Sequence, residues 1–134
     1  MISRTGKYAL NILGHLAEHH GEWIQGSQIS SDTGIPQNYL SKILNQLRKR
    51  GFVLSQKGWG GGFQLREDAA ATPILQVLEV FEGERAEGEC IFGFRQCDAG
   101  DPCSLHPYWE SIQSSYRDML SSVTIADLHT GRKA

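Results

Sequence analysis

Three cysteines and one histidine are the residues of this sequence best suited to carry chemistry. Cys90, Cys97 and Cys103 lie within 14 residues at the spacing C-x6-C-x5-C, and His106 follows as C-x2-H. Thiolates are soft ligands that suit zinc ions and iron–sulfur clusters, and a histidine can complete a set of four ligands. The spacing therefore predicts a metal site, but it does not separate a zinc site from an iron–sulfur cluster.

Other uses of these cysteines stay open at this point. A structural disulfide would need an oxidising compartment and would leave one thiol over, whereas a redox sensor would form a disulfide only under oxidant. Ordinary buried cysteines would be scattered through the helices, but these three share one segment with Gly93, Asp98, Gly100 and Asp101. Metal ligation fits this polar loop best, and a zinc site or a thiol switch is the alternative to a cluster.

A basic segment interrupts a chain that is acidic elsewhere. The 31 residues from 36 to 66 contain six lysines and arginines and no acid, so the other 103 residues carry a net charge of −8. Such a segment forms a directed positive surface, for which phosphate is a common partner. The alternative is an ordinary solvated helix face. We favour nucleic acid binding.

Four segments with apolar residues at helical spacing predict the scaffold that positions these side chains. After the first helix, the second begins at a Ser27 N-cap and ends at Gly34. The third has Pro36 at its first position and runs to Gly51, and the fourth follows a Thr72 N-cap. These helices predict a small, mainly α domain.

Two short strand-like runs, 52–56 and 63–65, follow the third helix and flank a loop rich in glycine. Three helices followed by a hairpin is the order of a winged helix-turn-helix. The sequence thus predicts a mainly α fold with a small β-hairpin wing. The predicted parts are a winged helix-turn-helix DNA-binding domain (1–83), a cysteine-rich loop (84–106), a long dimerisation helix (107–128) and a flexible tail (129–134).

The third helix has the properties of a recognition helix, with one apolar side and an opposite side of hydrogen-bond donors. Its N-terminal residues are expected to enter the major groove, and its C-terminal end and the wing to contact phosphates and the groove wall. The predicted DNA-binding residues are Asn38, Tyr39, Ser41, Lys42, Arg48, Lys49, Lys57, Trp59, Gly60 and Gly61.

A heptad pattern marks the last helix. Trp109, Ile112, Tyr116, Met119 and Val123 are spaced by three and four residues in alternation. The alternative is the core-facing stripe of a monomer. Because little chain is left to cover this helix, we predict a homodimer interface, and a symmetric dimer should read an approximate inverted repeat of double-stranded DNA.

Several classes of protein are not expected. No run approaches the roughly 18 apolar residues of a membrane span, and Met1 to Leu10 lacks the pattern of a secretion signal, so we expect a cytoplasmic protein without a membrane partner. No catalytic triad, phosphate-binding loop or pair of carboxylates suggests an enzyme. A transcriptional regulator, which we expect to be a repressor, fits best.

The sequence resembles the Rrf2 family of winged-helix transcriptional regulators, which has IscR-like and NsrR-like branches. The likeness spans nearly the whole chain. Its motifs are Gly6-Lys-Tyr-Ala-Leu10, Tyr39-Leu40, Leu47-Arg-Lys-Arg-Gly51, Lys57-Gly-Trp-Gly-Gly-Gly-Phe63 and Cys103-Ser-Leu-His-Pro-Tyr-Trp109.

The resemblance implies a homodimer that binds promoter DNA and whose affinity is switched by an iron–sulfur cluster on the three cysteines. His106 matches the fourth ligand of the IscR-like branch, which implies a 2Fe–2S rather than a 4Fe–4S cluster. Lys7 stands where the NsrR-like branch has an aspartate ligand. The first cysteine gap is one residue longer than is usual in the family, and Ser41 replaces an acidic residue of the IscR-like pattern.

Overall fold

Helices and one hairpin make up residues 2–82 and 100–129, which are the residues that the computed structural model describes. Two single 3-10 turns, Glu67–Ala69 and Ile125–Asp127, complete the order. The elements are α1 (Arg4–Glu18), α2 (Gly26–Thr33), α3 (Gln37–Lys49), β1 (Val53–Gln56), β2 (Gly62–Leu65), α4 (Ile74–Glu82) and α5 (His106–Ser122). This mainly α architecture with one small hairpin is the one predicted.

Helix α1 lies at the centre of the domain. It begins where the Ser3 hydroxyl accepts a hydrogen bond from the Gly6 backbone N–H at 3.0 Å. One side of the helix is almost completely buried because its apolar residues recur at helical spacing, and this side packs against α3 and the other elements of the core. The buried apolar residues of α1 are Ala9, Ile12, Leu13 and Leu16.

Helices α2 and α3 begin at residues other than those predicted. Ser27 is not the N-cap of α2, because the chain turns into the helix at Gly26, directly after Ile24 has paired with the hairpin. Pro36 is not the first residue of α3 but its N-cap, with an extended ψ of 140°. Gly34 ends α2 in the left-handed conformation, at a φ of +77°, as its position after the helix predicts.

The wing is an antiparallel pair in which Val53 lies opposite Leu65 and Gln56 lies opposite Gly62. Ile24 adds a third, single-residue strand: its N–H donates to the Phe63 carbonyl at 2.9 Å, and its carbonyl accepts from the Phe63 N–H at 2.8 Å. The hairpin is therefore joined to the segment between α1 and α2, and this pairing fixes the wing relative to the helices.

The end of α5 differs most from the prediction. The helix stops at Ser122 instead of continuing to residue 128, because the following backbone pairs with the segment before α4. The Ile125 N–H donates to the Thr72 carbonyl at 3.0 Å, and the Ile125 side chain is fully buried in the core beside α1. The same pairing places the start of α4 at Ile74 rather than at Pro73.

Within residues 2–82 and 100–129, no helix combines the length and the apolar character needed to cross a bilayer.

Candidate nucleic-acid interface and cysteine segment

Helix α3 separates its residues into a buried and an exposed side. Its apolar residues, Leu40, Ile43, Leu44 and Leu47, are at most 3% exposed and pack into the core. The other side points to solvent and contains no carboxylate. The predicted contact residues on this helix are all exposed: Asn38, Tyr39, Ser41, Lys42, Arg48 and Lys49.

Tyr39 joins this exposed side to the start of α1. Its ring lies 6.1 Å from the ring of Tyr8, centroid to centroid, and the guanidinium carbon of Arg4 lies 5.5 Å above the Tyr39 centroid. The distance is that of a cation–π contact. Arg4 was not among the predicted DNA-binding residues. The absence of any acid before Glu18 was the available sequence signal.

The C-terminal end of α3 carries three cations. Arg48 and Lys49 lie in its last turn, and Arg50 is its C-cap. Arg48 donates from Nη2 to the Asn45 side-chain oxygen at 2.9 Å, which orients its guanidinium along the helix surface. Positive charge is favourable at this end of a helix, because the last carbonyl groups point outward. Arg66 differs, since its guanidinium makes two 3.1 Å bonds to Asp68. Arg66 is thus the one cation of the basic segment that pairs with a carboxylate of the described residues. The others are Lys42, Arg48, Lys49, Arg50 and Lys57.

The tip of the wing exposes an aromatic side chain. Trp59 is fully exposed, and Lys57 and Gly60 beside it are also at the surface. Gly58 and Gly60 have φ values of +92° and +78°, which other residues rarely adopt. Gly61 is buried, a Cβ there would collide with the Gln56 carbonyl, and its N–H donates to the Gly58 carbonyl at 3.0 Å. Gly61 therefore shapes the loop that presents Trp59.

The cysteine segment lies only partly within the described residues. Cys90 and Cys97 fall outside them, whereas Cys103 is half-buried directly before α5. The His106 N–H donates to the Cys103 carbonyl at 3.1 Å, so a tight turn holds these two predicted ligands together.

The His106 side chain has the hydrogen-bonding pattern of a metal ligand. Its Nε2 lies 3.2 Å from a carboxylate oxygen of Glu110, one turn further along α5. Its Nδ1 is buried and has no hydrogen-bond partner among the described residues. Histidines that bind metals commonly donate their second ring N–H to a carboxylate, which leaves the first nitrogen as the ligand. The surroundings of His106 therefore fit a metal or cluster that would be bound through Nδ1.

Helix α5 is apolar on two sides. Leu120 is buried against Ile74 and Leu78 of α4, and the predicted interface residues Tyr116 and Val123 flank that cluster. Of the other predicted interface residues, Trp109 is partly buried, Ile112 is 50% exposed and Met119 is 43% exposed.

Comparison with known proteins identifies the family. Residues 2–131 match the Rrf2 family, described as iron-dependent transcriptional regulators. The chain belongs to the Rrf2 family. The resemblance noted in the sequence is thereby confirmed, and the protein is a DNA-binding transcriptional regulator rather than an enzyme.

Three relatives place the protein within the Rrf2 family. The regulator IscR of Yersinia enterocolitica is 30% identical over 95% of this chain and 77% of its own length. The structure of CymR, the global cysteine regulator of B. subtilis, has a TM-score of 0.77 at 25% identity, covering 99% of this chain and 98% of CymR. CymR of Staphylococcus aureus in an oxidized form has a TM-score of 0.72 at 25% identity, covering 100% and 99% of the two chains. These likenesses confirm the winged-helix fold.

One cluster of titratable residues lies elsewhere in this Rrf2 protein. His15 Nε2 is 3.2 Å from a carboxylate oxygen of Asp32, and its ring is 4.6 Å from that of His19. Burial, and secondly the nearby His19, lowers the pKa of His15, although Asp32 opposes the shift. The structure shows that His15 links α1 to α2. Among the described residues, no group of three or more histidine, cysteine, aspartate or glutamate side chains could hold a metal ion.

Proposed function

We propose that the protein is a sequence-specific repressor that binds an approximate inverted repeat as a homodimer. The observation that carries this proposal is the exposed side of α3, where amide, hydroxyl and ammonium groups occur without a single carboxylate. Such side chains can read base edges in the major groove, whose donors and acceptors differ for every base pair. The buried stripe of α3 holds that side in a fixed orientation.

Different residues have different parts in this proposal. Asn38, Ser41 and Lys42, near the start of α3, are the residues that read bases. The cations at the end of α3 and Lys57 bind phosphates, which adds affinity that does not depend on sequence. Trp59 at the wing tip packs against the sugar–phosphate backbone. This arrangement is supported by the exposure of all these side chains.

Homodimerisation through α5 is supported by apolar side chains that this chain leaves in water. Ile112 and Met119 lie on one side of α5 and are both about half-exposed. Tyr108, near the start of the same helix, is 72% exposed. A second copy of α5 would cover this stripe in the manner of a coiled coil. In a two-fold dimer, the two α3 helices would enter successive major grooves about one helical turn apart.

We further propose that Cys90, Cys97, Cys103 and His106 hold an iron–sulfur cluster, of the 2Fe–2S type, as the resemblance to the IscR-like branch implies. When bound, the cluster supplies a redox-sensitive and iron-sensitive cross-link within the segment between α4 and α5. His106 would hold it through Nδ1, and Glu110 would keep the proton on Nε2 so that Nδ1 stays available.

The route from this segment to the DNA surface runs through Glu82, the last residue of α4. Its carboxylate accepts the Ser3 N–H at 2.6 Å, at the start of α1. The first turn of α1 in turn touches α3 through Arg4 and Tyr39. A change in the cysteine segment is thereby passed to the recognition helix. A bias of about 1.4 kcal/mol changes DNA affinity roughly tenfold, so a small displacement is sufficient.

A thiol switch is the second candidate, and the oxidized CymR relative favours it. In that case two cysteines form a disulfide when an oxidant takes two electrons and two protons from their thiols. A structural zinc site would use the same four residues as the cluster.

The deciding experiment is an anaerobic absorption spectrum of freshly purified protein, with iron, sulfide and zinc measured on the same sample. Broad absorbance between roughly 320 and 460 nm, with iron and sulfide near parity, supports the cluster. About one zinc per chain in a colourless sample supports a structural metal site. A colourless and metal-free sample, even after anaerobic reconstitution, overturns the cluster and leaves the thiol switch, which a mass shift under peroxide then tests.

A further inference from the structure

We propose that the first turn of α1 adds a separate DNA-backbone contact, in which Arg4, stacked on Tyr39, binds a phosphate beside the groove that α3 enters. This inference rests on the proposed function, because it needs α3 to face the duplex. It adds a residue outside both the helix-turn-helix and the wing.

The position of Arg4 is set by two elements. Its guanidinium lies 5.5 Å from the centroid of Tyr39, a residue that is 41% exposed on the same surface as Asn38 and Lys42. An arginine stacked on a ring keeps its N–H donors at the edge of the guanidinium plane, where a ligand can reach them. The cation is therefore held next to the predicted base-reading side chains.

The backbone that carries Arg4 is also fixed. The preceding residue, Ser3, donates its N–H to the Glu82 carboxylate at 2.6 Å and caps α1 through the Gly6 N–H. A Cβ added at Gly6 would collide with that same carboxylate, so α4 packs closely against this turn. The anchoring limits the entropy that Arg4 must lose when it binds a ligand.

The chemistry of the site favours a phosphate as its ligand. Among the described residues no carboxylate pairs with Arg4, and residues 1–17 contain no acid at all. The planar guanidinium matches the oxygens of a phosphate and binds them with charge-assisted hydrogen bonds. Arg4 should therefore add affinity equally for all sequences.

A packing role is the competing explanation, since the same stacking would also join α1 to α3 without any ligand. The two explanations differ in how binding depends on salt. Each phosphate contact adds about 0.9 to the slope of log affinity against log salt concentration, whereas a packing contact adds nothing.

The test measures the affinity of the full-length protein for a mixed-sequence duplex of about 30 base pairs, long enough for two half-sites, at several salt concentrations. Arg4→Gln removes the cation, and Arg117→Gln, on the exposed surface of α5, is the control with the same change of charge. Lys49→Gln, at the exposed end of α3, tests the phosphate-binding part of the proposed DNA surface. Tyr39→Phe keeps the ring, and Tyr39→Ala removes it.

We expect Arg4→Gln to lower the slope by about 0.9 for each bound copy and to weaken binding roughly fivefold to tenfold per copy near 0.1 M salt. Arg117→Gln leaves both unchanged. Tyr39→Phe keeps the Arg4 contribution, but Arg4→Gln has little further effect once Tyr39→Ala is present. All variants should melt cooperatively, because every substituted side chain is exposed.

An unchanged slope in Arg4→Gln, with a lowered slope in Lys49→Gln, overturns this inference and leaves the proposed function standing. Unchanged slopes in both variants overturn the proposed DNA surface as well. An equal loss in Arg4→Gln and Arg117→Gln shows only an effect of net charge and also overturns the inference.

Discussion

Helices α3 and α5 are both amphipathic, yet their apolar sides meet different environments. The apolar stripe of α3 is at most 3% exposed, because α1 and the core cover it entirely. On α5 only Leu120 is buried, while Ile112 and Met119 remain about half-exposed. The chain by itself covers the apolar side of α3, whereas it leaves part of the apolar side of α5 exposed. Uncovered apolar area at helical spacing is thus an indication of an interface.

The largest expected effect follows from changing the buried side of α3. Leu44→Ala removes a side chain that is 1% exposed, which should lower the free energy of unfolding by about 2–5 kcal/mol. Urea denaturation followed by circular dichroism measures this loss. The comparison predicts that the loss does not depend on protein concentration, so a strong dependence would contradict it.

A substitution on the exposed apolar side of α5 should instead weaken dimerisation and leave the protomer folded. Ile112→Glu places a charge in the predicted interface and should weaken dimerisation by at least about tenfold, while the protomer stays folded. Sedimentation velocity over a range of concentrations measures the change. Ser114→Glu, exposed on the other side of α5, is the matched control. If Ile112→Glu sediments as the unchanged protein does, the interface lies elsewhere.

At the beginning of α5, Glu110→Gln should weaken the binding of the proposed cluster. The amide no longer provides the charged acceptor that keeps the proton on His106 Nε2. Such changes typically lower metal affinity by roughly tenfold to a hundredfold. Bleaching of the cluster absorbance by a chelator is the measurement. Asp118→Asn, also exposed on α5, should leave the rate unchanged. Equal rates in the two variants would remove Glu110 from the site.

The smallest effect concerns the contact between α1 and α2 that supports α3. Because the pKa of His15 is lower in the folded protein than its ordinary value of 6.5, the unfolded chain binds the proton more tightly. Stability should therefore be full above pH 6.5 and fall as the pH decreases through 6.5 toward the folded pKa. Thermal melts of the parent and of His15→Gln test this. A parent curve as flat as that of the variant would contradict it.

Local patterns were sufficient to predict much of the fold. The helices and the hairpin follow from apolar spacing and glycine positions, because these properties act within a few residues. The start of α2 was wrong, since pairing between Ile24 and Phe63 decides where the chain enters that helix. The end of α5 was too late for a similar reason, because residues after Ser122 bond to the segment before α4.

The predicted DNA-binding side of α3 lies at the surface, but its neighbours could not be foreseen. Arg4 and Tyr39 are 35 positions apart, and no spacing rule brings such residues together. Similarly, His15 and Asp32 meet only because α1 packs on α2. Glu110 was accessible from the sequence, since it lies four residues after His106 on one helix.

The return of the chain to the core after α5 also affects the order of events during synthesis. Ile125 is fully buried beside α1, so a nascent chain that has reached only the wing lacks one of the side chains that surround its first helix. Domains commonly fold as units while translation proceeds. Here the ribosome must add residues 123–128 before that unit can close. A partly translated chain would therefore have α3 without its complete support.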